Sequence, residues 1–255
     1  QGARDLGAFE SPFFYDSVSN DYYVNDAYTA GDLYTSAVGN DANNGLTPAT
    51  PKRTLTNLLS TYDLDPGDTV YIDTGTNAYG VRLAPSDADG TVAAPITFVG
   101  PTNGAVALFA GVPGMRDGFF LSNAANIRFR ALTIRGYTNG VRVVGASTNN
   151  VVRGNAIFSN VSFGVYLNGT AVDANRVVSN WIHGPGQFYG VWIRDGDRNV
   201  VTNNPIRGHS LYGVSMDLTA ASNRVAGNTI RSNDLGGVLL NGVAVDGNRI
   251  VSNMI

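Results

Sequence analysis

Cysteine is absent from this 255-residue chain, which excludes disulfide bridges, thiolate metal sites and a cysteine nucleophile. Lysine is nearly absent: Lys52 is the only one among 17 basic residues, the rest being arginine. No apolar run approaches the length of a membrane-crossing helix. Excess positive charge is missing too, since 20 acidic residues leave a net charge of -3 and a pI near 5.2. Phosphate binding asks for a basic surface, so nucleic acid is not expected as a partner. No signal peptide is visible, and the first residue is Gln1 rather than Met. The chain is read as an excised or mature segment.

What is present is glycine, at 31 residues, and a hydrophobic fraction of 43%, enough for a sizeable core with many tight turns. The phrases "NRVVSNWI" at Asn175, "NRVAGNTI" at Asn223 and "NRIVSNMI" at Asn248 expose an internal repeat. Its central apolar residue recurs as Phe129, Val152, Val177, Val201, Val225 and Ile250, in steps of 23, 25, 24, 24 and 25. The closing isoleucine (134, 157, 182, 206, 230, 255) keeps the same steps, and a Gly-Val pair begins at Gly140, Gly164, Gly190, Gly213 and Gly237. Within each period, "GVYL" or "GVWI" alternates apolar and outward positions, the signature of short strands. A period of about 24 residues cannot bury its own inner face, but stacked periods can. The pattern predicts an all-β fold, a right-handed parallel β-helix or β-solenoid.

The asparagines of the phrase would form columns about 4.8 Å apart from rung to rung. One column is Asn155, Asn180, Asn204, Asn228 and Asn253; the other is Asn150, Asn175, Asn199, Asn223 and Asn248. An amide both donates and accepts, so such a ladder satisfies turn backbone above and below. The asparagines are therefore read as structural, and function is sought in what differs between copies.

Before the repeat, Leu55, Leu58, Leu59 and Tyr62 fall on one face of a short helix near 51–62, with Thr50-Pro51 as its expected start. The entry segment, with Gly39, Asp41, Gly45, Pro51 and Arg53-Thr54-Leu55, leads into "GDTV" at Gly67 and "API" at Ala94. This pattern resembles the bacterial parallel β-helix proteins of the pectate-lyase-like superfamily over residues 33–255. The resemblance implies the fold and a helix capping the N-terminal end; many chemistries share that scaffold. Residues 1–10 are similar to the closing segment of other bacterial β-helix domains, and 11–32 read as a linker. Ile255 falls in mid-rung with no capping element. A module of a large secreted or cell-surface protein is expected, with adjacent β-helix modules as partners.

Two outward columns carry candidate chemistry. Tyr166 and Trp192 on adjacent rungs, beside Asn168, Arg194 and Asp217, suit a sugar ring that stacks and hydrogen-bonds. The column after the closing isoleucine holds Arg135, Phe158, His183, Arg207 and Arg231, a basic stripe that could grip carboxylated or sulfated polysaccharide. The turn after His183, "GPGQFYG", is enlarged, as a cleft would require.

For a polysaccharide lyase, His183 or Tyr189 would be the base, with Arg207 and Arg194 as carboxylate neutralisers. The lysine base of many β-helix lyases has no counterpart, since Lys52 lies in the expected cap. Asp195, Asp197 and Asp217 are the carboxylates a glycoside hydrolase could use, although "DGDRN" reads more simply as a turn. No cofactor is required; Asp41 and Asn43 in "GNDANNG" are candidate calcium ligands, against a simpler reading as Asx turns. The preferred reading is a non-catalytic extracellular module touching polysaccharide. The alternatives are a lyase or hydrolase, and a structural spacer assembling into a filament or surface layer.

Overall fold

The computed structural model describes residues 19–77, 80–84, 89–104, 106–112 and 114–255. The stretch 1–10 and the first part of the expected linker lie outside them. The fold is a right-handed parallel β-helix of three sheets, with nine, seven and seven strands among the described residues. In chain order each rung contributes a strand to the first sheet (Val151–Arg153), the second (Ala156–Phe158) and the third (Phe163–Asn168). Each then pairs in parallel with its equivalent one rung on. The sequence columns are real columns: Val152 faces Val177, Ile157 faces Ile182 and Val165 faces Val191 across the ladders.

The inward positions fill the tube. Phe98, Phe109, Phe119 and Phe129 form the wide early core, with successive ring centroids 4.8–5.3 Å apart. Valine and isoleucine take over in later rungs, buried as far as Ile230. At the Gly-Val pair neighbouring rungs approach too closely for a side chain. A Cβ on Gly190 would lie 2.6 Å from the Gly213 carbonyl oxygen and 2.5 Å from the Ile206 side chain. Only glycine fits there.

The asparagine ladders form as expected and are buried. At the corner entering the first sheet, the Asn150 N–H donates to the Asn175 side-chain oxygen at 3.0 Å, and Asn175 repeats the move onto Asn199 at 2.9 Å. At the next corner the Asn155 N–H donates to Asn180 at 3.0 Å, and the Asn180 N–H to Asn204 at 2.8 Å. Each side-chain NH2 reaches back to a carbonyl of the preceding rung; that of Asn180 donates to Val152 at 2.8 Å. The residue before each ladder asparagine takes positive φ, as Ala174 does at 57° and Ser179 at 54°, which swings the chain into the next sheet.

A third corner, leading into the third sheet, was not anticipated from the sequence. There the Tyr137 N–H donates to the Asn160 side chain at 3.1 Å, and the His209 N–H to Asn233 at 3.1 Å.

The N-terminal end differs from expectation in two respects. The helix spans Leu55–Thr61, and its cap is Thr54, whose hydroxyl accepts from the Asn57 N–H at 3.1 Å. Thr50-Pro51 is not the start, because the next residue is extended: Lys52 forms a bridge with Val24 and donates its N–H to the Tyr23 carbonyl at 2.9 Å. The first sheet begins at Asp21–Val24, inside the stretch read as linker. Tyr22 and Val24 alternate inward there and join Leu55, Leu58 and Leu59 in the core.

Asn180→Ala removes an acceptor for the Asn155 N–H and NH2 and a donor to Val152. Buried groups left unpaired cost about 1–3 kcal/mol each. Urea unfolding of the variant is expected to show a loss of about 3 kcal/mol or more; a loss below about 1 kcal/mol would contradict the ladder's role.

Candidate functional site

The outer face of the third sheet carries an interlocked aromatic cluster. Strand register puts Phe163, Tyr189 and Tyr212 in one column and Arg142, Tyr166, Trp192 and Ser215 in the next. Tyr166 and Trp192 stack at 4.8 Å and 12°, Tyr189 and Trp192 at 5.3 Å and 25°. Phe163 meets both Tyr166 (4.8 Å) and Trp192 (4.9 Å). The Arg194 guanidinium lies 5.7 Å from the Trp192 ring. Trp192 Nε1 donates to Asp217 Oδ2 at 2.6 Å, and the Ser215 hydroxyl donates to the other carboxylate oxygen at 2.8 Å.

Five of the expected binding residues, Tyr166, Asn168, Trp192, Arg194 and Asp217, thus share this face. Tyr166 is only 7% exposed, however, because Trp192 and Phe163 cover it and the Arg142 guanidinium lies 6.0 Å from its ring. It supports the surface, whereas Phe163, Tyr189, Trp192 and Tyr212 are half-buried and contribute to it.

The remaining candidates lie elsewhere. His183, Arg207 and Arg231 are on the second sheet, paired on successive strands. His183 Nδ1 lies 3.2 Å from the Arg207 carbonyl oxygen, and its ring is 5.4 Å from Trp181. Arg207 sits 5.9 Å from that same indole. Tyr189 belongs to the third sheet, beyond the corner at 184–188, so the three residues proposed for lyase chemistry are divided between two sheets. Burial, then Asp217 and then Tyr212 raise the Tyr189 pKa above the usual phenol value. Asp195 and Asp197 hold turns, accepting from Thr219 and from the Ala221 N–H.

Asp41 accepts from the Thr54 N–H at 2.9 Å and so holds the helix cap, while Asn43 donates to the Pro51 carbonyl at 2.9 Å. Among the described residues no three His, Cys, Asp or Glu side chains gather as a metal site.

Sequence reasoning missed Phe163 and Tyr212, which share the column of Tyr189, and Trp181, two residues before His183 on its strand. It also placed His209 without a role. His209 is fully buried, occupies the third corner's column and packs against Gly184 and Gly190.

Comparison with known proteins adds family and fold. Residues 68–255 match the family described as "Periplasmic copper-binding protein (NosD)". The chain belongs to the NosD family. No curated protein matches the sequence significantly. An alginate lyase from Paenibacillus sp. str. FPU-7 superposes with a TM-score of 0.59 at 15% identity, covering 69% of this chain and 69% of that one. Pectate lyase Pel9A gives 0.61 at 17%, covering 92% of this chain and 63% of its own. A rhamnogalacturonan lyase gives 0.58 at 13%, covering 88% and 62%. This NosD-family chain therefore spans less than two thirds of the latter two, and at such identities the likeness establishes the fold alone.

The family's description implies copper, whose usual ligands are imidazole, thiolate and thioether. Cysteine is absent, and Met216 is buried in the core. Met115 packs against the core, whereas Met254 is 71% exposed. His209 is enclosed by backbone. These residues do not fit a copper centre, and no step is derived through one.

Burial first, and the nearby His183 second, lower the His209 pKa from 6.5 to about 4, against the Ile182 carbonyl, which favours the proton. Below pH 6.5 the unfolded chain binds a proton that the native one refuses. Stability is therefore lost as pH falls from 6.5 to about 4 and levels off below. The full loss is about 3 kcal/mol. His209→Asn, which matches Asn160 and Asn233 in its column, is expected to remove this component. Urea titrations of both proteins at pH 7 and pH 4.5 check it; equal losses in the two would contradict the assignment.

Proposed function

We propose that this chain is a non-catalytic polysaccharide-binding module of an exported protein, extracellular or periplasmic, and that it binds through the aromatic face of its third sheet. The carrying observation is the cluster of four half-buried rings around Trp192, flanked by Asn168, Arg194 and Asp217. Half-buried rings stack on the apolar face of a sugar, and the flanking Asn168 amide and Arg194 guanidinium bond its hydroxyls, while Asp217, buried and bonded to Trp192 and Ser215, only supports the face. The Asp217 hydrogen bond fixes the indole in advance, which lowers the ordering cost of binding.

Three related folds carry names of enzymes acting on alginate, pectate and rhamnogalacturonan, which supports a carbohydrate role. The family's description as periplasmic supports export. Among the described residues no helix is long and apolar enough to cross a membrane. Binding is favoured over lyase chemistry because the only lysine, Lys52, is buried just before the N-terminal helix, and Tyr189, one of the two alternative bases, lies on a different sheet from Arg207.

The test is retention on insoluble neutral polysaccharides, with unsaturated products followed by ultraviolet absorbance in the same samples. Retention is expected without new absorbance, weakened about tenfold or more in Trp192→Ala. New absorbance that disappears in His183→Ala would overturn the reading in favour of a lyase.

A further inference from the structure

The outer face of the first sheet carries a feature of a different kind. A cleft of about 500 Å³ is lined by Arg128, Arg130, Arg153 and Arg176, together with Tyr71, Thr69 and Thr97. Register explains the cluster. Arg128 and Arg130 share one strand, Arg153 is on the next and Arg176 on the one after, all pointing outward and exposed. The Arg176 column continues through Val200 to Arg224 and Arg249. From Arg128 to Arg249 is five strand steps, about 24 Å along the axis.

These guanidinium groups repel one another without compensation. Among the described residues the ion pairs are Arg142–Asp117 on the third sheet and Arg198–Asp173 at a corner. The acid that heads the Arg128 column, Asp21, is three strands away, about 14 Å. Four of the sixteen arginines of an acidic protein, gathered unpaired in one cleft, present a site for an anion. The length of the stripe suits a polymer rather than a single ion.

We propose that this face is a second binding site, separate from the aromatic one, for a linear anionic polysaccharide carrying carboxylate or sulfate groups. The spacing selects the polymer. Outward arginines recur at one or two strand steps, about 5–10 Å, with Val151 and Val200 between. One charge per sugar unit fits that interval; duplex DNA carries one per about 1.7 Å. The planar guanidinium fork binds carboxylate or sulfate oxygens in pairs. Tyr71, half-buried at the head of the cleft and close to Arg130, offers a ring for the sugar face. The glycan class agrees with the function proposed above, but the site rests on its own residues.

The experiment measures binding of the full chain to polygalacturonate, dextran sulfate, neutral dextran and duplex DNA, at low and at physiological salt. Arg130→Gln/Arg153→Gln is compared with Trp192→Ala. The expected result is salt-sensitive binding of one or both anionic glycans, which also tells carboxylate from sulfate recognition. It should weaken about tenfold or more in the double arginine variant and persist in Trp192→Ala. Retention of neutral polysaccharide by the double variant keeps the two readings distinguishable and shows that it is folded. Unchanged affinity in the double variant, loss in Trp192→Ala instead, equal binding of neutral dextran, or preference for DNA would each overturn the proposal.

Discussion

Every other feature of this molecule depends on keeping consecutive rungs in register, and the buried amide ladders hold that register. A parallel sheet alone permits a slip, because its backbone pattern repeats along the strand. An asparagine side chain that both accepts from an N–H and donates to a carbonyl of the preceding rung does not permit it. Slipping one residue would strand buried amides at each corner and turn the core residues outward. The positive-φ residue before each asparagine and the glycine where rungs come too close for a side chain are requirements of the same corner geometry.

Register in turn writes the outer faces. Once Val152 stacks on Val177, Arg153 and Val178 are neighbours on the surface, and so on for every column. The aromatic face of the third sheet and the arginine cleft of the first are consequences of this rule applied to different residues. The two faces suit different chemistry: one offers rings with an indole tied to a carboxylate, the other bare cations. The corner between the second and third sheets, where "GPGQFYG" replaces the simple turn, puts His183 and Tyr189 on different sheets.

The repeat made the tube legible in the sequence, because its period-two alternation and 24-residue step leave little else to build. The ladders followed from the phrase itself. Less was legible at the edges. Asp21–Val24 pairs with Thr69–Ile72 and Lys52 bridges Val24, but both precede the repeated phrases, so no periodicity announced them. The third corner escaped notice because its column mixes Tyr137, Asn160, His209 and Asn233, types that share a place but not a chemistry. Tyr166 looked like a contact residue because a one-dimensional column cannot show that neighbouring rings close over it. The arginine cleft was present in "IRFR", "VVR" and "NRVV", yet attention to the Gly-Val strands left those columns unread.

The most direct test of this account is native-state hydrogen exchange of the ladder backbone amides, Asn150, Asn155, Asn175, Asn180, Asn199 and Asn204, which donate to side chains one rung on. Turn amides held only by exposed contacts exchange through local opening, whereas ladder amides would need the rungs to separate. The account predicts that these six exchange as slowly as the core strands beside them. Exchange at the rate of exposed turns, with the strands still protected, would contradict the claim that the ladders hold the rungs in register.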